Sequence, residues 1–428
     1  MIESLILRNY NQAESEKRLR MITKVITHYL AAVFTLLLAG GCSRSIPVKN
    51  TVEDTSTMSE RLTGQDYHQK IESFRNELIE VVGSWDPDSV EFGSRRSQLP
   101  AFAGREDLAV AVQERIRILP DCDASRFPAI DQIVEKAQST SIVILNEMHD
   151  APQNRDFLEA VGESLLPIGY NILAAETFST RASEDTPWVA YDHGYYTSEP
   201  VFARTLMKLK DKGYLLRSFE VDWSAAEVAG QFTGTLKSQE EVLAATFLTN
   251  FEDTIKHHKI LLYVGYSHAN ETTQDSNDVT WLAGIIKART GIDPLTISVT
   301  TCQSSSQEFF VSAIESGAPH KEGVEYDLIV GQPKVEFQDQ RPVWRRAGGD
   351  LPVSIPDEFR NAGITLLIEA RMRGAPEWSV PIEQLVIRAH ENYIPLLLPE
   401  GEFVLSAFSN DGPYGAPLAL SVKREASR

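Results

Sequence analysis

Residues 141–178, SIVILNEMHDAPQNRDFLEAVGESLLPIGYNILAAETF, hold an apolar run ending in Asn146-Glu147-Met148-His149, a helical pattern, and a second apolar run ending in Glu176. This reads as a strand, a crossover helix and a parallel strand. Both polar endings then fall at the carboxyl ends of their strands. They open on one edge of the sheet, where open α/β folds bind ligands. Side chains two apart in an extended chain point the same way, so Glu147 and His149 are expected to project together at that edge.

The alternation continues outward. The pattern predicts a helix over 154–166, with Phe157, Leu158, Val161 and Leu165 on one face, and a strand over 171–176. A helix over 200–212 follows, opened by Pro200 and stopped before Gly213. Next come a strand over 214–220, ending in Glu220 with Asp222 beyond it, and a helix over 238–257 whose first residues, Ser238 to Glu241, have capping-box spacing. A strand over 260–265 leads into Gly265-Tyr266-Ser267-His268, and a helix over 278–289 and a strand over 295–301 complete the series. Strand runs joined by helices predict an α/β fold with a mostly parallel central sheet and flanking helices. Upstream, helices are expected over 67–82 and 124–139, whereas 83–104 is broken by Pro and Gly. From 325 the texture changes to short alternating runs at 325–330, 364–369, 384–388, 394–398, 402–408 and 417–422, with turn signals such as Asn410-Asp411-Gly412. The expected division is an α/β domain over 67–324 and a small β domain over 325–428.

An apolar strand followed by Asn146, Glu147, His149 and Asp150, with Arg155 in the next helix, a strand ending in Glu176, and the later Gly265-Tyr266-Ser267-His268, resembles the haem-binding uptake/Tiki superfamily. That grouping includes ChaN-type haem lipoproteins, Tiki-type metalloproteases and, more distantly, erythromycin esterases. The resemblance spans about 141–301, and Asn146 stands where many relatives have Gly. It implies either a hydrolase-like site or a haem- or metal-binding lipoprotein without catalysis.

A single polar residue at a strand end is usually a cap or a solvated loop residue, so weight falls on the set. His149, His268, Glu147 and Glu176 combine imidazole with carboxylate, which suits a divalent zinc, manganese or iron ion. With no Cys among them, such a site leaves positions for water, as catalytic sites do. Without a metal, His149 oriented by Glu147 or Glu176 is a general base, and Arg155 either holds an anionic group or pairs with a carboxylate. Gly265-Tyr266-Ser267-His268-Ala269 also approximates a nucleophile elbow, with Ser267 as nucleophile and His320 as its partner, but 270–277 (NETTQDSN) lacks the helix an elbow needs. In the haem-carrier reading, Tyr191, His193, Tyr195 and Tyr196 of an aromatic insertion face a flat ligand.

From Met21, a candidate start, the chain reads MITKVITHYLAAVFTLLLAGGC, the pattern of a secretory signal, which gives a signal peptide over 1–41. Leu38-Ala39-Gly40-Gly41-Cys42 resembles a bacterial lipobox, which implies acylation of Cys42 and a membrane held through the lipid. Ser43 after it implies an outer-membrane lipoprotein of the bacterial envelope facing the periplasm. The apolar run over 29–41 is shorter than the ~20 residues a spanning helix requires. Residues 42–66 are polar and read as the lipidated Cys and its tether. Net charge is −19, and loss of 1–41, with five basic and three acidic residues, takes it to −21. This argues against nucleic acid as a partner and leaves a small-molecule or peptide substrate. Cys122 and Cys302 either pair or remain two buried thiols.

Overall fold

The structure, a computed structural model, describes residues 58–424 except 92, 117–118, 123–126, 275–277, 313–324, 361 and 392. The signal segment, Cys42 and His320 lie outside the described residues.

The longer elements, in chain order, begin with helices α1 (Gln65–Gly83), α2 (Arg95–Phe102), α3 (Glu106–Ile116) and α4 (Ala129–Ala137). The α/β alternation follows as β1 (Ile142–Glu147), α5 (Pro152–Leu165), β2 (Tyr170–Ala175), α6 (Pro200–Asp211) and β3 (Leu215–Ser218). It continues as α7 (Leu236–Phe251), β4 (Lys259–Gly265), α8 (Leu282–Thr290), β5 (Leu295–Ser298) and β6 (Leu328–Pro333). The last strands are β7 (Leu366–Met372), β8 (Glu383–Ile387), β9 (Gly401–Ser409) and β10 (Gly412–Val422).

The fold is α/β. The strands of the large sheet run in the order β6-β5-β1-β4-β2-β3, and every one of these pairings is parallel. Short antiparallel pieces at Phe310–Val311 and Phe127–Pro128 extend it beyond β6. Period-two alternation divides the core between the two faces. Val143, Leu145, Leu173, Leu261 and Tyr263 pack under α4, α5 and α6 through Ile133, Phe157, Val161, Phe202 and Leu206. On the opposite face Ile142, Ile144, Ile172, Ile260 and Leu262 meet Phe247 and Phe251 of α7 and Leu282 and Ile286 of α8. Strands covered on both sides must be apolar at nearly every position, which is why β1 reads as an unbroken run.

A separate small antiparallel sheet near the carboxyl end has the order β8-β7-β9-β10. One of its faces builds its own core from Leu366, Ile368, Leu385, Phe403 and Leu405. The other receives α1 and α2, where Leu78, Val82, Leu99 and Phe102 meet Leu367 and Val386. Within this contact Arg75 of α1 makes a two-pronged pair with the fully buried Glu369.

Several boundaries differ from expectation. The tether over 42–66 was expected to be loose to its end, yet residues 58–63 form a helix and α1 begins at Gln65. Leu62 is fully buried and Arg61 pairs with Glu184 and Asp192, contacts invisible locally because the partners lie more than a hundred residues away. The run at 325–330 does not open the β domain. As β6 it joins the large sheet beside β5, with all six residues buried as that position demands. Helix α7 starts before Ser238, capped by Thr235, whose hydroxyl accepts from the Ser238 amide. The broken stretch 83–104 contains α2, which carries Pro100 within it. Cys122 and Cys302 form a disulfide, with Cα atoms 5.2 Å apart.

Candidate active site at the carboxyl edge of the sheet

Strand β4 lies between β1 and β2, so three neighbouring strands end side by side. Glu147 is in register with Gly265, and the Glu176 amide, just past β2, donates to the Tyr263 carbonyl of β4. His149 and Glu176 therefore approach one another over Gly265, from which a methyl group would lie 2.4 Å from His149 Cε1 and 2.9 Å from Glu176 Oε1. Only the absence of a side chain at 265 leaves this space.

The turn after β4 supplies the fourth member. Tyr266 adopts a left-handed φ of 38°, uncommon for a residue other than glycine, and opens the 3-10 turn Tyr266–Ala269 that carries His268. Asn146 fixes this turn: its amide nitrogen donates to the Tyr266 carbonyl at 2.6 Å and to the Ser298 and Thr300 hydroxyls, while its oxygen accepts from the Val299 amide. One buried side chain thus ties together the ends of β1, β4 and β5.

Each imidazole is held by a buried carboxylate through Nδ1. His149 Nδ1 lies 2.9 Å from Glu147 Oε1, and His268 Nδ1 lies 2.9 and 3.0 Å from the two oxygens of Glu240. Facing carboxylates, these are the donating nitrogens, an assignment made from the hydrogen bonds. The remaining nitrogens converge: His149 Nε2 stands 3.6 Å from Glu176 Oε1 and His268 Nε2 stands 3.4 Å from Glu176 Oε2. His149, Glu176 and His268 are 13%, 16% and 15% exposed, whereas Glu147, Arg155 and Glu240 are at most 3% exposed. The three converging side chains thus keep partial exposure, while the groups that brace them are buried. The Tyr196 ring stacks on His149 at 4.1 Å, and Tyr266 meets it edge-on at 5.0 Å.

Charge is divided unevenly. Burial pushes the Glu147 carboxyl up, but Arg155 and the His149 hydrogen bond outweigh it and hold it down to about 2. Burial lowers His268, but Glu176 and Glu240 overcome this and raise it to about 9. At neutral pH His268 is a cation.

All five expected catalytic residues lie in this assembly, though two of them work from behind. Arg155 is fully buried, donating to both Glu147 oxygens, to the His149 carbonyl and to Glu199, so here it pairs with carboxylates. Glu147, expected also among the metal ligands, spends its oxygens on Arg155 and His149 Nδ1. Among the described residues no three His, Cys, Asp or Glu side chains are gathered as a metal ion would draw them. Glu220 accepts from the Thr180 amide and Asp222 caps a short helix, so neither joins the set. Ser267 sits in the 3-10 turn, which leads to a short hairpin (273–274 with 279–280) and not into a helix. In the aromatic insertion His193 is 1% exposed, Tyr191 packs against Phe74, and Tyr195 against Phe102.

Two participants escaped sequence reading. Glu199 caps α6 by accepting from the Val201 and Phe202 amides while holding Arg155, so its position before Pro200 was the signal. Glu240 lies three, four, seven and eleven residues before Leu243, Ala244, Phe247 and Phe251, all buried. A carboxylate on the apolar stripe of a helix was the signal there.

No family model matches the chain, and no curated protein matches it. Among solved structures, the type III effector HopBA1 shares 12% identity over 51% of this chain and 100% of its own, with a TM-score of 0.31. The MARTX toxin effector domain RRSP of Vibrio vulnificus shares 11% identity over 63% of this chain and 48% of its own, with a TM-score of 0.27. A structure of bacterial protein toxins shares 13% over 56% and 48%, with a TM-score of 0.29. At these scores none bears on what the site does.

Proposed function

We propose that this chain is an envelope lipoprotein that hydrolyses an acyl bond, an ester or amide, at the His149–Glu176–His268 centre. The observation that carries the reading is the convergence of two Nε2 atoms on one solvent-facing carboxylate, each ring braced behind by a buried Glu. With Nδ1–H given to Glu147, His149 presents a lone pair at Nε2 and takes the proton of an attacking water. Water oxygen adds to the acyl carbon, and the negative charge that develops on the acyl oxygen meets the His268 cation. Collapse breaks the bond to the leaving group, which departs with the proton held on His149 Nε2. Glu176 lies between the rings and balances the charge of His268.

A metal-assisted version would use the same three residues. Two imidazoles and one carboxylate are the donor types that zinc, manganese or iron take, each imidazole braced by a carboxylate at its other nitrogen, but among the described residues they are not gathered as a metal ion would draw them, and an ion would have to replace the proton on His268. An ion held there would supply a bound water acidified toward neutral pH. Export is supported by the Cys122–Cys302 disulfide, a bond typical of oxidising compartments, and by the signal and lipobox readings at Cys42. The motif resemblance to the haem-binding uptake/Tiki superfamily supports the same class of site.

The test is a screen of the purified chain against chromogenic esters and fluorogenic peptides, after chelation and again with added zinc, manganese or iron(II). Hydrolysis is expected, and His149→Ala and His268→Ala should each remove it with the thermal transition nearly unchanged. Hydrolysis surviving both substitutions, or stoichiometric haem uptake without hydrolysis, sinks the reading. Intact mass should begin at acylated Cys42, and an unmodified Met1 or Met21 terminus would reject the lipoprotein.

A further inference from the structure

We infer that Glu240 is a positioning residue of this site, a buried carboxylate on α7 that holds the Nδ1–H of His268 and thereby fixes its Nε2 toward Glu176. The inference rests on the hydrolase reading above and adds a residue that no motif in the chain identified.

Glu240 is fully buried, in a stripe where an apolar residue would serve folding better, because an unpaired buried carboxylate is costly. Its environment binds it from two elements. Oε2 accepts both from His268 Nδ1 at 3.0 Å and from the Leu282 amide at 2.9 Å, at the amino-terminal end of α8, and Oε1 lies 2.9 Å from the same Nδ1. The carboxylate is thus clamped before it acts on the histidine. Among the described residues, Trp281 stands edge-on to the ring at 6.3 Å and Glu176 lies beyond Nε2, and Glu240 is the acceptor recorded at Nδ1. Without Glu240 the imidazole is free to flip and present either nitrogen. The arrangement repeats that of His149, where Glu147 is the acceptor and Arg155 is the clamp, although one carboxylate comes from the end of a strand and the other from a helix.

A purely structural role, capping α8 through Leu282, makes a different prediction, which Glu240→Gln separates. An amide oxygen at the Oε2 position can keep the Leu282 bond, while the NH2 takes the place of Oε1, 2.9 Å from Nδ1, and the carboxylate charge is gone. The expected result is a folded protein with a wild-type thermal transition, and 15N spectra of labelled histidine in which His268 has left the Nδ1–H form. On any substrate found by the screen, kcat should fall roughly 10- to 100-fold with KM unchanged, the usual cost of losing an outer partner of an active imidazole. If E240Q fails to fold, Glu240→Asp, which keeps the charge but shortens the reach, should give the same spectral change. A wild-type His268 spectrum in these variants, or a loss of activity that only follows a loss of folded protein, overturns the inference. His268→Ala distinguishes the failures: if it remains active, the hydrolase reading falls, whereas if it is inactive and E240Q is not, only the role of Glu240 falls.

Discussion

A methyl group on residue 265 would stand 2.5 Å from His149 Nε2, so this glycine is needed for what lies above it and not for its own backbone. Its φ of −80° is open to any residue. Gly265→Ala should therefore keep a foldable β4 yet push His149 and Glu176 apart, an overpacking of about 1–3 kcal/mol. The expected outcome is near-complete loss of hydrolysis with a smaller fall in the denaturation midpoint, and unaltered hydrolysis by G265A would show that the two side chains need not meet. At this scale the sequence was legible where chemistry coincided with a strand end. Glu147, His149, Glu176 and His268 all stand at the carboxyl edge because the apolar runs before them stop there. It was illegible for Glu240, whose place beside Ser238 invited a capping reading, and for the division between residues that meet solvent and Arg155, which only burial reveals.

Elements converge on the site through Asn146. Its amide reaches the Tyr266 carbonyl, two hydroxyls near the end of β5 and the Val299 amide, and it is fully buried. Asn146→Ala would take from the Val299 amide its Asn146 acceptor, costing about 1–3 kcal/mol, and would remove the donation to the Tyr266 carbonyl. Urea titration should register the loss, and His268 should shift in 15N spectra because its turn is no longer tethered. A midpoint equal to wild type would mean that the three strand ends are held by other means. The alternation of strands and helices over 141–301 was legible because burial on both faces imposes long apolar runs and helices impose a 3.6 period. The strand at 328–333 was misread since a short apolar run carries no mark of which sheet it joins. Only its pairing with β5 decides that.

Over the whole molecule, buried charge predicts how stability varies with pH. Burial raises Glu147, Glu369 and Asp350, but their arginine partners Arg155, Arg371 and Arg345 prevail and hold each carboxyl down to about 2. A depressed carboxyl stabilises the fold above its unfolded value, and that contribution is lost as pH falls through the folded value. Each should contribute on the order of 2–3 kcal/mol at neutral pH and fade between roughly pH 4.5 and 2. On the alkaline side two groups act the other way. His268, raised to about 9, stabilises fully below the unfolded histidine value and loses this as pH climbs through 9. Glu106, buried and accepting from the Trp344 indole N–H, is pushed by burial up to about 8, so the folded state holds a proton that the unfolded chain has released above about 4.5. Stability must then fall with rising pH between those values, because the native state binds more protons than the unfolded one. The urea midpoint should peak at about pH 4.5, drop steeply toward pH 2 and decline more gently toward pH 9. Glu106→Gln, which keeps an acceptor for Trp344 and cannot ionise, should flatten the decline between about pH 5 and 8 while leaving the acid limb unchanged. If the E106Q profile parallels wild type throughout, Glu106 is ionised in the fold, and Arg341 and Arg345 rather than burial govern it.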